Sequence, residues 1–181
     1  MSEASTRRNA QRGPHVMPDT IGLRDFCAGY HSRVTGLAAV TEQRVAAWDR
    51  TNPRTGEYEE AVLDVATRDN ITGQAIFLDA TVTCAHSGSQ PRQRARANKD
   101  GLAASNAVDD KRERYPPSGG ELVPLAFETG GRPGQETVAF VRSWAHGAEP
   151  GERTEIIRYA WQQLSVALQT GNAEMILAAL G

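Results

Sequence analysis

Two aspartates and one lysine carry the chemistry that is legible in this sequence. Glu60 to Thr67 and Ala75 to Thr83 read as strands, and Asp69-Asn70-Ile71-Thr72-Gly73-Gln74 between them is turn chemistry. A hairpin loop centred between Ile71 and Thr72 puts Asp64 opposite Asp79 on one sheet face, their Cβ atoms about 4.5–5.5 Å apart. Their neighbours are apolar: Val62, Leu63 and Val65 around one, Phe77, Leu78 and Ala80 around the other. Like charges opposed on a half-buried sheet repel, and an unpaired buried carboxylate costs more still. A divalent cation is the economical compensation, because Mg²⁺ is commonly held by one or two carboxylates plus water and phosphate. A bulged register, an edge position for one aspartate, or a neutralising arginine are the alternatives.

The lysine is Lys111. Ala104, Ala107, Val108, residue 111 and Tyr115 share one stripe of a helix, so an ammonium stands where apolar side chains would otherwise continue. Directed across the sheet towards Asp64 and Asp79, it would orient an attacking water and stabilise developing phosphorane charge. The alternative is snorkelling, the stem covering apolar surface while the charge reaches water.

The elements that must position these groups follow from periodicity. Ile21, Leu23, Phe26, Cys27, Tyr30 and Val34 predict a helix, with Asp19 or Thr20 as its cap and Gly36 as its stop. Leu37 to Trp48 reads as a strand, and Asn52 to Gly56 as a turn. After the aspartate hairpin and a polar loop from His86 to Gln93, one helix is expected from about Arg94 or Asn98 to Tyr115, closed by Pro116-Pro117-Ser118-Gly119-Gly120. Leu122 to Thr129 reads as a strand whose Pro124 confines it to an edge or to its own start. Thr137 to Trp144 and Glu155 to Thr170 read as helices, with Gly171-Asn172 interrupting the second before a last helical turn, Ala173 to Leu180. The fold class expected from this order is α/β (α+β): a mixed sheet flanked by helices.

Composition bounds the alternatives. A chain of 181 residues with 39% apolar and 23% charged residues can bury a proper core, and its formal charge of −2 excludes a strongly basic nucleic-acid coat. No apolar run approaches the roughly 20 residues that span a membrane. Eighteen of the 20 basic residues are arginine, leaving only Lys99 and Lys111. Charge is nonetheless uneven. From Pro91 to Arg114 there are seven positives (Arg92, Arg94, Arg96, Lys99, Lys111, Arg112, Arg114) against four negatives. That stretch suits either a DNA-backbone track or a solvated helix and loop. Cys27, His31, Cys84 and His86 have no zinc-module spacing, and Gly130 to Gly134, without a Walker lysine, reads as a turn. The Trp161 helix is core or a partner surface. Residues 1–20 read as a flexible tail.

The ordered motifs resemble those of the PD-(D/E)XK superfamily, and more closely the restriction-endonuclease-like domain of non-LTR retrotransposon polyproteins. The residues that carry this are Thr41-Glu42-Gln43, Leu63-Asp64-Val65, the run from Phe77 to Thr83 with Asp79, Lys111 to Tyr115, Val123 to Arg132, and the tail from Leu164 to Ala173. The similarity spans roughly residues 21 to 181, which the resemblance implies to be a single nuclease domain with a helix–three strands–helix–strand core. It further implies a metal-dependent DNA endonuclease that nicks target DNA so that a partner reverse transcriptase can prime on the new 3′ end. In that reading Asp64 and Asp79 hold Mg²⁺ (or Mn²⁺). Thr81 stands two residues after Asp79, so Lys111, on the following helix, supplies the lysine, and Glu42, Tyr115 and Glu128 support. DNA, with a reverse transcriptase domain or ribonucleoprotein beside it, is the implied partner, and the nucleus the implied location in a eukaryote. The alternative on the same fold is a catalytically degenerate nucleic-acid-binding or assembly domain.

Overall fold

The structure, a computed structural model, describes residues 18–84, 89–117 and 120–180. Its centre is a four-stranded mixed sheet. Helix α1 (Pro18–Thr35) leads into β1 (Val40–Arg44), a small hairpin of β2 (Arg50–Thr51) and β3 (Tyr58–Glu59), then β4 (Val62–Arg68) and β5 (Ala75–Thr83). Helices α2 (Gln90–Asn98) and α3 (Leu102–Arg114) cross to β6 (Glu121–Glu128), and α4 (Gln135–Ser143) and α5 (Pro150–Leu180) follow. Across the sheet the order is β1-β4-β5-β6, with β1, β4 and β5 antiparallel in turn and β6 parallel to β5. The expected class, a mixed sheet with flanking helices, is what is found.

Alternation sorts the two faces. Val65, Ile76, Leu78, Leu125 and Phe127 point one way, into a core shared with Leu23 and Tyr30 of α1, Phe140 and Trp144 of α4, and Leu164 and Leu168 of α5. Ala126 points the other way, against Ala104 and Val108 of α3. This second face is the one that carries the aspartates. Helix α1 lies close along α5, with Gly22 facing Ala167 at a distance where even an added Cβ would make only ordinary contact, 3.5 Å from that of Ala167.

The hairpin register is the one that turn symmetry predicts. Val65 pairs with Leu78, Ala66 with Phe77, Thr67 with Ile76 and Arg68 with Ala75. Asp69 caps the turn, its Oδ1 accepting from the backbone N–H of Ile71 and Thr72, and Gly73 supplies the positive φ of 73° that the turn requires.

Four expectations are corrected. The strand expected from Leu37 to Trp48 is only Val40–Arg44, because a 3-10 turn at Ala46–Trp48 rolls Trp48 inward against Leu63 and Tyr115, its Nε1 donating to the Pro116 carbonyl at 2.6 Å. The helix expected from Arg94 or Asn98 to Tyr115 is two helices, broken where Gly101 takes φ 74°. Gly171-Asn172 does not interrupt α5: Gly171 is buried and Asn172 donates to the Thr129 carbonyl at 2.9 Å, tertiary contacts that offset the roughly 1 kcal/mol glycine penalty. Pro18, Asp19 and Thr20, read as tail, already belong to α1; residues 1–17 lie outside the described residues. Pro124 sits inside β6, where the sheet edge tolerates its missing N–H.

Candidate active site

Continuing the β4–β5 register by one step from Val65 and Leu78 brings Asp64 to Asp79, and there the backbone ladder ends. The two strands part under the aspartates, and the Asp64 carboxylate closes the gap, its Oδ2 accepting the Ala80 backbone N–H at 2.6 Å. Asp79 is 5% exposed. Its Oδ2 meets Lys111 Nζ at 2.7 Å and takes no other partner among the described residues. The stripe lysine of α3 therefore points across the sheet onto the aspartates, and does not run out to solvent.

The electrostatics follow from burial. Desolvation, then the neighbouring Asp79 charge, push the Asp64 carboxyl up to about 6, against the opposing pull of the Ala80 amide, Lys111 and Arg24. Burial pulls the Lys111 ammonium down, but Asp79, assisted by Tyr115 and Asp64, outweighs it, and the net direction is up. Lys111 is thus a cation and hydrogen-bond donor at neutral pH, not a base. Burial, with Asp79, also raises the Tyr115 phenol. Tyr115 packs beside Trp48 at 5.5 Å between ring centroids, with the Arg114 guanidinium 4.8 Å above its ring.

The remaining predicted positions divide. Glu42 lies across from Asp64 by the β1–β4 register, but its φ of 56° breaks the ladder there, and its carboxylate pairs with Arg24 at 2.7 Å. Glu128 shares the Asp79 face, yet stands four residues beyond Pro124, the register partner of Asp79, or about 13 Å along the strand. It is not brought to the pair. Among the described residues no third carboxylate, histidine or cysteine joins Asp64 and Asp79 in a cluster.

The basic run does not make one continuous track. Arg94 and Lys99 are exposed; Arg96 is half-buried and donates to the Cys84 carbonyl at 3.3 Å. The Arg92 side chain lies outside the described residues. Arg112 pairs with Glu136 at 2.9 Å. Arg114 turns inward, donating to the Trp48 carbonyl at 2.7 Å, so it holds the 3-10 turn in place and does not face a ligand.

Sequence reasoning missed Arg24. Thr20, Arg24, Cys27 and His31 share one stripe of α1 at 4, 3 and 4 spacing, and three of the four are buried: Thr20, Cys27 and His31. A polar stripe on a buried helix face was the available signal. The Arg24 charge favours ionised Asp64, and burial, then Asp64 itself, drives the Cys27 thiol up to about 12. Positive charge therefore flanks the carboxylates from α1 as well as from α3. Arg24→Met should raise the Asp64 pKa further, by about half a unit, in a carboxyl-carbon NMR titration. An unchanged titration would remove Arg24 from the site.

The two carboxylates fit a hard divalent cation: both are oxygen donors, side by side, and burial, then the charge of Asp79, makes ionised Asp64 costly, a cost that a cation would relieve. No helix among the described residues is long and apolar enough to cross a membrane. No protein-family model matches the chain, and no curated protein matches it.

Proposed function

We propose that the chain is a metal-dependent DNA endonuclease on a restriction-endonuclease-like core, hydrolysing a phosphodiester to nick target DNA in the manner of a retrotransposon. The observation that carries this reading is the convergence of Asp64, Asp79 and Lys111 from three elements, with the ammonium 2.7 Å from Asp79. Asp64 and Asp79 would hold Mg²⁺ or Mn²⁺, which supplies Lewis-acid polarisation of a phosphoryl oxygen and a more acidic water. Lys111, kept protonated by Asp79, donates a hydrogen bond to the attacking water and balances charge as the phosphorane forms. Arg24 on the other flank helps Asp64 ionise. Arg94 and Lys99, exposed beyond β5, are available to backbone phosphates.

Supercoiled plasmid incubated with the protein and Mg²⁺ or Mn²⁺ is expected to convert to the nicked form, and EDTA to stop the conversion. Absence of nicking with either metal would overturn the reading.

One observation favours a second reading, a degenerate nucleic-acid-binding or assembly domain: Lys111 rests directly on the Asp79 oxygen that a cation would take. That reading expects salt-sensitive DNA binding indifferent to EDTA, with no nicking.

A further inference from the structure

A second charged concavity lies on the α4–α5 side of the sheet, opposite the face that carries Asp79. It is a pocket of about 500 Å³ between the β4–β5 turn, the end of α4 and the start of α5. Buried Ala145 and half-buried Ile157 form its base, with Ile71 beside them, and Arg142, His146 and Arg153 stand exposed around it. Its walls are tied together: Asn70 of the turn donates to the Ser143 carbonyl at 2.6 Å, and Arg153 donates to the Ala148 carbonyl at 3.3 Å.

Arg33, Arg54, Arg68 and Arg94 have no carboxylate partner among the described residues; what marks this pocket is that two such arginines share it. Arg24, Arg44, Arg50, Arg112 and Arg132 each meet a carboxylate. Among the described residues neither Arg142 nor Arg153 does, although both belong to the same pocket, and no Asp or Glu lines it. Glu149 and Glu152 are near in sequence but stand outside the lining. Two guanidinium groups held on one concavity repel each other, and an anion relieves the repulsion through charge-assisted, bidentate hydrogen bonds. The apolar base suits the carbon face of a sugar.

We infer that Arg142, His146 and Arg153 form a phosphate-binding pocket that takes a sugar-phosphate group, separate from the Asp64–Asp79 site. The inference stands whether or not that site hydrolyses anything. Its ligand is either a nucleic-acid backbone phosphate or a free phosphate ester, the same chemistry from two sources.

The test is a titration of the full chain with inorganic phosphate at low ionic strength, followed through the backbone amides of Ser143 and His146 by NMR. Saturable shifts are expected there, and at least about tenfold weaker binding in Arg142→Gln/Arg153→Gln. Arg142→Lys/Arg153→Lys, which keeps the charge, should retain part of the affinity. DNA binding measured across a salt series then separates the sources. A salt dependence shallower by about one to two counterions in the glutamine variant indicates backbone phosphate. A salt dependence unchanged in that variant, while the wild type binds phosphate saturably, indicates a free ester. Wild-type amides that do not respond to phosphate overturn the inference, and this arm needs no variant to fold. Nicking assays play no part in it, so its failure and a failure of the endonuclease reading are distinguishable.

Discussion

Asp79→Asn is expected to lower plasmid nicking by at least roughly 10³-fold while leaving DNA binding within about twofold, because it removes a ligand and unpairs Lys111 together. The asparagine keeps the shape of the side chain, so the loss would be one of charge. It has a second signature. The Lys111 ammonium, 28% exposed and normally 2.7 Å from Asp79, would be left beside β5 without its counter-ion. Removing one partner of a largely buried ion pair costs more than the pair itself contributes, here about 2 kcal/mol, visible as a lower urea midpoint. Lys111→Met should abolish nicking comparably and, because it leaves the more deeply buried Asp79 carboxylate unpaired beside Asp64, should destabilise at least as much as Asp79→Asn at neutral pH. Nicking that survives in both Asp79→Asn and Lys111→Met would sink the catalytic assignment, and the binding-domain reading would replace it.

Asp64→Asn should stabilise the protein at neutral pH, an unusual direction for a residue at the centre of a site. The Asp64 carboxyl is pushed from 3.8 up to about 6, first by burial and then by Asp79. A raised folded-state pKa means that the folded chain binds this proton more tightly than the unfolded chain does. Its stabilising contribution is fully present below about pH 4 and is lost as pH rises through about 6. Above pH 6 the ionised carboxylate is tolerated at a cost, and a neutral amide, which can still accept the Ala80 N–H, avoids it. A shift of this size corresponds to an upper bound of about 3 kcal/mol, and because the two aspartates titrate together about 1–2 kcal/mol is expected. Thermal melts of wild type and Asp64→Asn should therefore diverge by about 2–8 °C at pH 7.5 and converge near pH 4. Nicking should nonetheless be lost. A site that is destabilising and indispensable is one kept for its chemistry, and curves that run parallel across the whole pH range would refute that account.

The parts of this protein that sequence alone determines are those fixed by contacts a few residues apart. The register of the Asp64 and Asp79 strands follows from a turn whose geometry Asp69 and Gly73 dictate locally. The inward lysine follows from helical spacing, since Ala104, Ala107, Val108 and Lys111 share a stripe whatever the helix packs against. Both are local, and both are legible.

Tertiary structure decided the rest. Gly101 and Gly171 are alike in sequence terms, each a glycine in a helical stretch, yet only Gly101 breaks its helix. Gly171 is buried, and the Asn172 bond to Thr129 supplies what the local chain lacks. Arg112 and Arg114 belong to one basic run, but Glu136 and the Trp48 carbonyl, both distant in sequence, draw them out of it. Arg24 acts on Asp64 only because α1 folds back against the sheet, 40 residues away along the chain. Two unpaired arginines at one pocket arise in the same way, from the meeting of α4, α5 and a hairpin turn. Spacing sets which side chains share a face. Which charges end up neutralised, and which are left to do chemistry, depends on partners that only the packed chain brings within reach.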